Sequence, residues 1–226
     1  MTYCGERSLV KYDGPNRTVA TLRCRSWTCP DCFEPRKKRL MAECHAGAPG
    51  TFMTLTSRRR EGLTANEAAL KLTHAWRLIR LRLMRRSGMK KLPFIAVMEA
   101  TKAGWPHLHI LLRSIWLDHD LISSWMAELT DSPVVDIQRI DNKARVNAYV
   151  SKYCGKAAHK FGTAKRYFKT QDYDLRSEEE RSKFLKKQPG WETNPWHINR
   201  LAQAFLETGY VLDWSSSSRF VATLGP

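Results

Sequence analysis

The chain has 226 residues, with 38 Lys plus Arg against 22 Asp plus Glu and a formal net charge of +16, of which +13 falls within residues 1–91. This balance favours a polyanionic partner, while 42% hydrophobic residues suffice for a core and no apolar run is long enough to span a bilayer. No Gly-x-x-x-x-Gly-Lys-Ser/Thr loop occurs, which argues against nucleotide hydrolysis. The opening residues, Met1 to Glu6, lack the hydrophobic stretch of a secretory signal, so the expected location is the cytoplasm.

In a reducing compartment, cysteines serve as core thiols or metal ligands more often than as disulfides. Cys24, Cys29 and Cys32 form a C-x4-C-x2-C cluster with the tight spacing of a zinc knuckle. Cys4 is the first choice for a fourth ligand, because a hairpin turning at Asp13-Gly14-Pro15-Asn16 would bring it to Cys24; Cys44 and His45 are alternatives, and unligated thiols are the plainer reading. Four protein ligands would make the zinc structural, and the run Arg36, Lys37, Lys38, Arg39 would follow it as a DNA-facing strip.

Thr51–Ser57 reads as a strand, followed by the basic run Arg58, Arg59, Arg60. Thr64-x-x-Glu67 is a capping box opening a helix whose Leu72, Trp76, Ile79 and Leu83 recur at core spacing. Residues 93–100 and 106–113 read as a hairpin joined by Thr101–Gly104. Asp118 caps a second helix with Leu121, Trp125 and Leu129 expected inward, and 134–140 reads as a strand. A helix then carries Tyr149 and Tyr153, with Val146, Val150 and Cys154 as its inward stripe. Beyond it, 161–169 reads as a further strand, 178–184 as a charged helix, and 195–208 as a helix ending at Gly209. The β-α-β-β-α-β-α order fits an α+β class, a ferredoxin-like or RRM-like antiparallel sheet with helices on one face. Three consecutive segments are expected: a Cys-rich 1–49, a central domain over 50–172, and a helical extension over 173–226.

The chemistry concentrates in two motifs. In Trp105-Pro106-His107-Leu108-His109, strand alternation puts both imidazoles on one face and Leu108 on the other, so the histidines could clamp a metal. In Tyr149-Val150-Ser151-Lys152-Tyr153-Cys154-Gly155-Lys156, two tyrosines stand one helical turn apart, each with a lysine three residues later. Either motif alone has a structural reading, as satisfied sheet histidines or as amphipathic helix residues.

Pro-His-Leu-His followed by Tyr-x-x-Lys-Tyr-x-x-Lys resembles motifs 2 and 3 of the HUH endonucleases, the rolling-circle replication initiators. The paired tyrosines resemble the gene A and gene II type proteins of single-stranded DNA phages. Phe52-Met53-Thr54-Leu55-Thr56 resembles motif 1 of that family and stands before the other two, in the expected order. The resemblance covers roughly residues 50–170. It implies the ferredoxin-like fold, DNA contact near Thr54 and Thr56, and an acidic residue completing the metal cluster. Glu99, near the end of the strand antiparallel to the histidine strand, is that candidate. Carboxylate plus imidazoles suits Mg²⁺ or Mn²⁺.

The expected activity is therefore a metal-dependent tyrosine nickase and ligase. Tyr149 or Tyr153 would attack a phosphodiester, with Lys152 or Lys156 aiding the phenolate, to leave a 5′-phosphotyrosine and initiate rolling-circle replication of a phage or plasmid genome. The expected partners are single-stranded DNA at an origin, a hairpin being one form it could take, and a separate host helicase and polymerase. A transposase or relaxase of the same superfamily is the nearest alternative, and a non-catalytic RRM-like nucleic-acid-binding module is the alternative from another class.

Overall fold

The computed structural model describes residues 4–113, 115–142, 144, 146, 148, 159–177, 180 and 190–225. They form a mixed α+β structure with two five-stranded antiparallel sheets. Where the sequence suggested three consecutive segments, the chain groups into two compact units, residues 1–36 with 178–226 and residues 37–177. The reason is backbone pairing: strands near the two ends hydrogen-bond to one another in one sheet.

In the unit built from the chain ends, β1 (Ser8–Asp13) and β2 (Asn16–Thr21) make the hairpin expected around Gly14-Pro15, with Asp13 opposite Asn16. β8 (Trp191–Asn194) pairs with β1, while β10 (Arg219–Leu224) joins β2 to β9 (Tyr210–Ser216), giving the order β8-β1-β2-β10-β9. Helix α4 (Ile198–Glu207) starts at His197, whose Nδ1 accepts from the Asn199 N–H at 3.1 Å, and Gly209 follows it at φ 84°. Ile198, Leu201 and Ala202 of α4 bury Val10, Val19, Phe220 and Ala222 of the sheet. The C-terminal extension is thus not simply helical: among the described residues it supplies three strands and one helix, because alternating apolar side chains in 210–224 pair the backbone as strands.

Helix α1 (Pro30–His45) contains the boundary between the units. The unit 37–177 then runs β3 (Thr51–Thr56), α2 (Ala65–Ser87), β4 (Phe94–Ala100), β5 (Pro106–Leu112), α3 (His119–Thr130), β6 (Val135–Arg139) and β7 (Tyr167–Lys169). Its strand order is β6-β3-β5-β4-β7. The Thr64–Glu67 capping box forms in full, and Gly88 closes α2 at φ 67°, where a side chain would be strained. Alternation along β3, β4 and β5 sends Met53, Leu55, Ala96, Met98, Leu108 and Ile110 into one core with Leu72, Trp76 and Ile79 of α2. In α3 the buried stripe is Ile122, Met126 and Thr130, not Leu121, Trp125 and Leu129. Those three occupy the adjacent stripe, one residue out of phase, and Trp125 and Leu129 pack against the core from its margin. The further strand expected over 161–169 shortens to β7, because only Tyr167–Lys169 pair with β4.

Candidate functional site

Strand register gathers the central motifs. Glu99 on β4 and Thr56 on β3 both stand opposite His107 on β5, while His109 stands between Thr54 and Val97. Directly paired residues share a face, so Glu99, His107, His109, Thr54 and Thr56 all lie on the face away from the Leu108/Ile110 core. Two neighbours on that face escaped the sequence reading. Asp136 on β6 pairs with Thr54, and Tyr167 on β7 pairs with Val97. The period-two pattern Val135-Asp136-Ile137-Gln138 could have indicated Asp136, but only the pairing of β6 to β3 assigns its neighbour.

His109 is the most constrained member. It is buried, its Nδ1 lies 3.0 Å from Thr54 Oγ1, its Nε2 lies 2.8 Å from Glu99 Oε2, and the Phe52 ring stacks on it at 5.5 Å between centroids. Thr54, itself buried, thus meets the histidine through its hydroxyl. If Nδ1–H donates to that hydroxyl, the Nε2 lone pair and the Glu99 carboxylate become two electron-pair donors side by side, and His107 lies with its ring 6.1 Å from that of His109. One carboxylate and two imidazoles fit a small divalent cation in donor chemistry, as does the hydrogen bond orienting His109 from behind.

The proposed nucleophiles Tyr149 and Tyr153 and their companions Lys152 and Lys156 lie outside the described residues. Val146, from the expected inward stripe of their helix, is buried and its N–H donates to the Asn142 carbonyl.

The other singled-out cations are partly committed within the protein. Arg59 donates to the Ala103 carbonyl at 2.5 Å and lies over the Trp105 ring, beside the Thr101–Gly104 turn that leads into the histidine strand. Arg60 pairs with Asp131 at 2.9 Å, whereas Arg58 is exposed. Arg36 donates to the Arg25 carbonyl and covers Trp27, Arg39 pairs with Glu43 at 3.1 Å, and Lys38 is exposed while Lys37 is half-buried. These side chains brace turns and α1, so the basic run is not a uniform strip.

The cysteine cluster forms with Cys4 as its fourth member. The sulfurs of Cys4, Cys24, Cys29 and Cys32 all lie within 4.8 Å of one another, with Cys4 to Cys32 at 3.4 Å and Cys24 to Cys32 at 3.7 Å. Tetrahedral zinc with bonds of about 2.3 Å would set sulfurs about 3.8 Å apart. The β1–β2 hairpin delivers Cys4 and Cys24, a turn through Arg25 at φ 54° follows, and Cys29 and Cys32 flank the start of α1. The Cys24 backbone N–H, aided by the neighbouring thiols, brings Cys4 down to about 7, whereas burial pushes Cys32 up to about 12. Backbone N–H groups aimed at sulfur favour the thiolate that a metal requires. The alternatives, Cys44 and His45, are not in this cluster; the Cys44 carbonyl instead accepts from the Tyr173 hydroxyl at 2.7 Å.

Among the described residues, no helix is long and apolar enough to cross a membrane. Residues 50–158, just under half of the chain, match the family described as Replication-associated protein ORF2 or gene II protein. The match supports a replication initiator and, with it, DNA binding. No curated protein and no solved structure matches the chain.

Proposed function

We propose that this protein is an HUH-type initiator that nicks single-stranded DNA at a replication origin and later reseals it, serving a phage or plasmid genome. The observation that carries the reading is the alignment of Glu99, His107 and His109 at adjacent positions of β4 and β5, on the sheet face turned from the core. The β-α-β-β-α-β order with β6-β3-β5-β4 at its centre supports the ferredoxin-like assignment, and the family match supports the replication role.

Glu99, His107 and His109 would hold Mg²⁺ or Mn²⁺, which would supply charge neutralisation at the scissile phosphate. Thr54 and Phe52 hold the His109 ring in place, so its orientation costs nothing at the moment of reaction. The oxygen of Tyr149 or Tyr153 attacks phosphorus, the P–O bond to the 3′ side breaks, and a free 3′-hydroxyl and a 5′-phosphotyrosine result. A phenol with a reference pKa of about 10 is mostly protonated at neutral pH, so Lys152 or Lys156 would stabilise the developing phenolate. The ester keeps the energy of the broken bond for resealing. A second tyrosine would cut the regenerated origin while the first remains bound to the 5′ end, after which the released 3′-hydroxyl attacks the first ester and closes a circle. A host helicase and polymerase would supply unwinding and synthesis.

The test is to incubate the protein with labelled single-stranded DNA pools in Mn²⁺ and look for a protein-linked 5′ end. The adduct should survive Tyr149→Phe and Tyr153→Phe singly, vanish in the double variant, and vanish in His109→Gln with DNA binding retained. Loss in one single variant would reduce the protein to a one-tyrosine nickase. Tight origin binding with no adduct under any condition would favour the non-catalytic RRM-like module.

A further inference from the structure

A groove of about 400 Å³ lies on the opposite side of the same sheet, between α2 and the chain leading into β7. That volume falls within the range of about 300–1,000 Å³ typical of ligand sites. Trp76, Phe94 and Phe168 form its wall, with Phe94 edge-on to both Trp76 at 5.1 Å and Phe168 at 5.8 Å. Arg77, Arg80 and Lys165 edge it. Among the described residues neither Arg77 nor Lys165 has a carboxylate partner, and both are exposed. Leu70, another wall residue, leaves 46% of its surface in water although it sits on a helix with an otherwise buried apolar stripe.

The polar groups of the wall are mostly spent. The Thr73 hydroxyl donates to the Ala69 carbonyl, Arg80 Nε donates to the Leu92 carbonyl, and the Trp76 indole N–H is buried without an acceptor. A nucleobase seated there would leave several of its own donors and acceptors without partners, each costing about 1–3 kcal/mol. An apolar side chain would leave none. The exposed cations at the edge add a preference for negative charge beside that side chain. Because Phe168 and Ala96 face the core while Tyr167 faces the histidine side, an occupant of this groove would not compete with DNA on the histidine face.

We propose that the groove is a docking site for an acidic peptide segment of a protein partner, with one apolar anchor side chain seated against Trp76, Phe94 and Phe168 and its carboxylates beside Arg77, Arg80 and Lys165. This inference does not depend on the nickase reading, and its test reads binding, not cleavage. The full-length protein is titrated against a dye-labelled six-residue peptide of four aspartates followed by Leu-Phe, by fluorescence anisotropy at low salt. Arg77→Glu with Lys165→Glu should weaken binding about tenfold or more, whereas the double reversal Arg85→Glu with Arg86→Glu, equal in net charge change and away from the groove, should change it less than about threefold. Replacing the peptide's Leu-Phe by Ser-Ser should abolish binding. Equal binding of the Ser-Ser peptide, or equal weakening by the control reversal, would mean diffuse charge attraction and would overturn the proposal. So would displacement of the peptide by an equimolar oligothymidylate with loss of that oligonucleotide's binding in Arg77→Glu/Lys165→Glu, which would make the groove a nucleic-acid subsite. Circular dichroism of the variants separates lost binding from lost fold.

Discussion

The unit of residues 37–177 is held by a continuous core that runs from Met53 on β3 through Trp76 on α2 to Met126 on α3, whereas the unit of the chain ends relies on Val10, Val19, Phe220, Ala222 and one face of α4. The first can rest on burial of large side chains. The second has a small core but brings four cysteine sulfurs together at the mouth of its hairpin. A small apolar core is commonly supplemented by a metal or another cross-link, and the comparison teaches which interaction each half should miss most when it is removed.

The largest effect is expected from the cysteines. Structural zinc contributes about 10 kcal/mol in small domains that fold around it, so Cys32→Ser or a strong chelator should strip hydrogen-exchange protection from β1, β2 and α4 while β3 and β5 keep theirs. Elemental analysis should find one zinc per chain. Unchanged protection with no bound metal would mean that the thiols are unligated and that the small core suffices alone.

A smaller effect sharpens the other half. Gly47 lies under the Tyr173 ring, and a Cβ there would overlap the ring at its Cζ. Tyr173 is fully buried with its hydroxyl on the Cys44 carbonyl, so it cannot easily yield. Gly47→Ala should cost about 1–3 kcal/mol, read from the urea midpoint, and should spare the exchange protection of β1 and β2. A variant as stable as the parent would show that the ring moves aside freely.

The smallest effect depends on pH. The Arg176 guanidinium 2.6 Å away, assisted by Lys169 at 3.5 Å, holds the buried Asp174 carboxyl well below the usual carboxylate range. A depressed carboxyl stabilises the fold fully above its unfolded value of about 4 and loses that contribution as pH falls through the lower folded value. Asp174→Asn should therefore cost about 1 kcal/mol from pH 7 down to about pH 5, and the difference from the parent should shrink below about pH 4. A difference independent of pH would assign the cost to packing instead of charge.

Local chemistry carried much of the fold. The capping box at Thr64 and Glu67, the Asp118 cap and the turn at Thr101–Gly104 depend on neighbours a few residues apart, and they formed where the sequence placed them. The phase of α3 was not readable, because Trp125 and Ile122 lie on adjacent stripes and only the curvature of the sheet beneath decides which is covered.

The spacing Cys-x4-Cys-x2-Cys and the alternation in Pro106–Leu112 determined from sequence alone that three thiols would cluster and that two imidazoles would share a face. Both follow from backbone geometry over a few residues. Tertiary structure decided what no short window contains. It selected Cys4 over Cys44 as the fourth sulfur, set Glu99 against His109, put Thr54 behind that ring with Asp136 beside it, and joined the chain's two ends in one sheet. Each of these depends on which strands pair and in what register, and that is settled by the burial of side chains far apart in the chain.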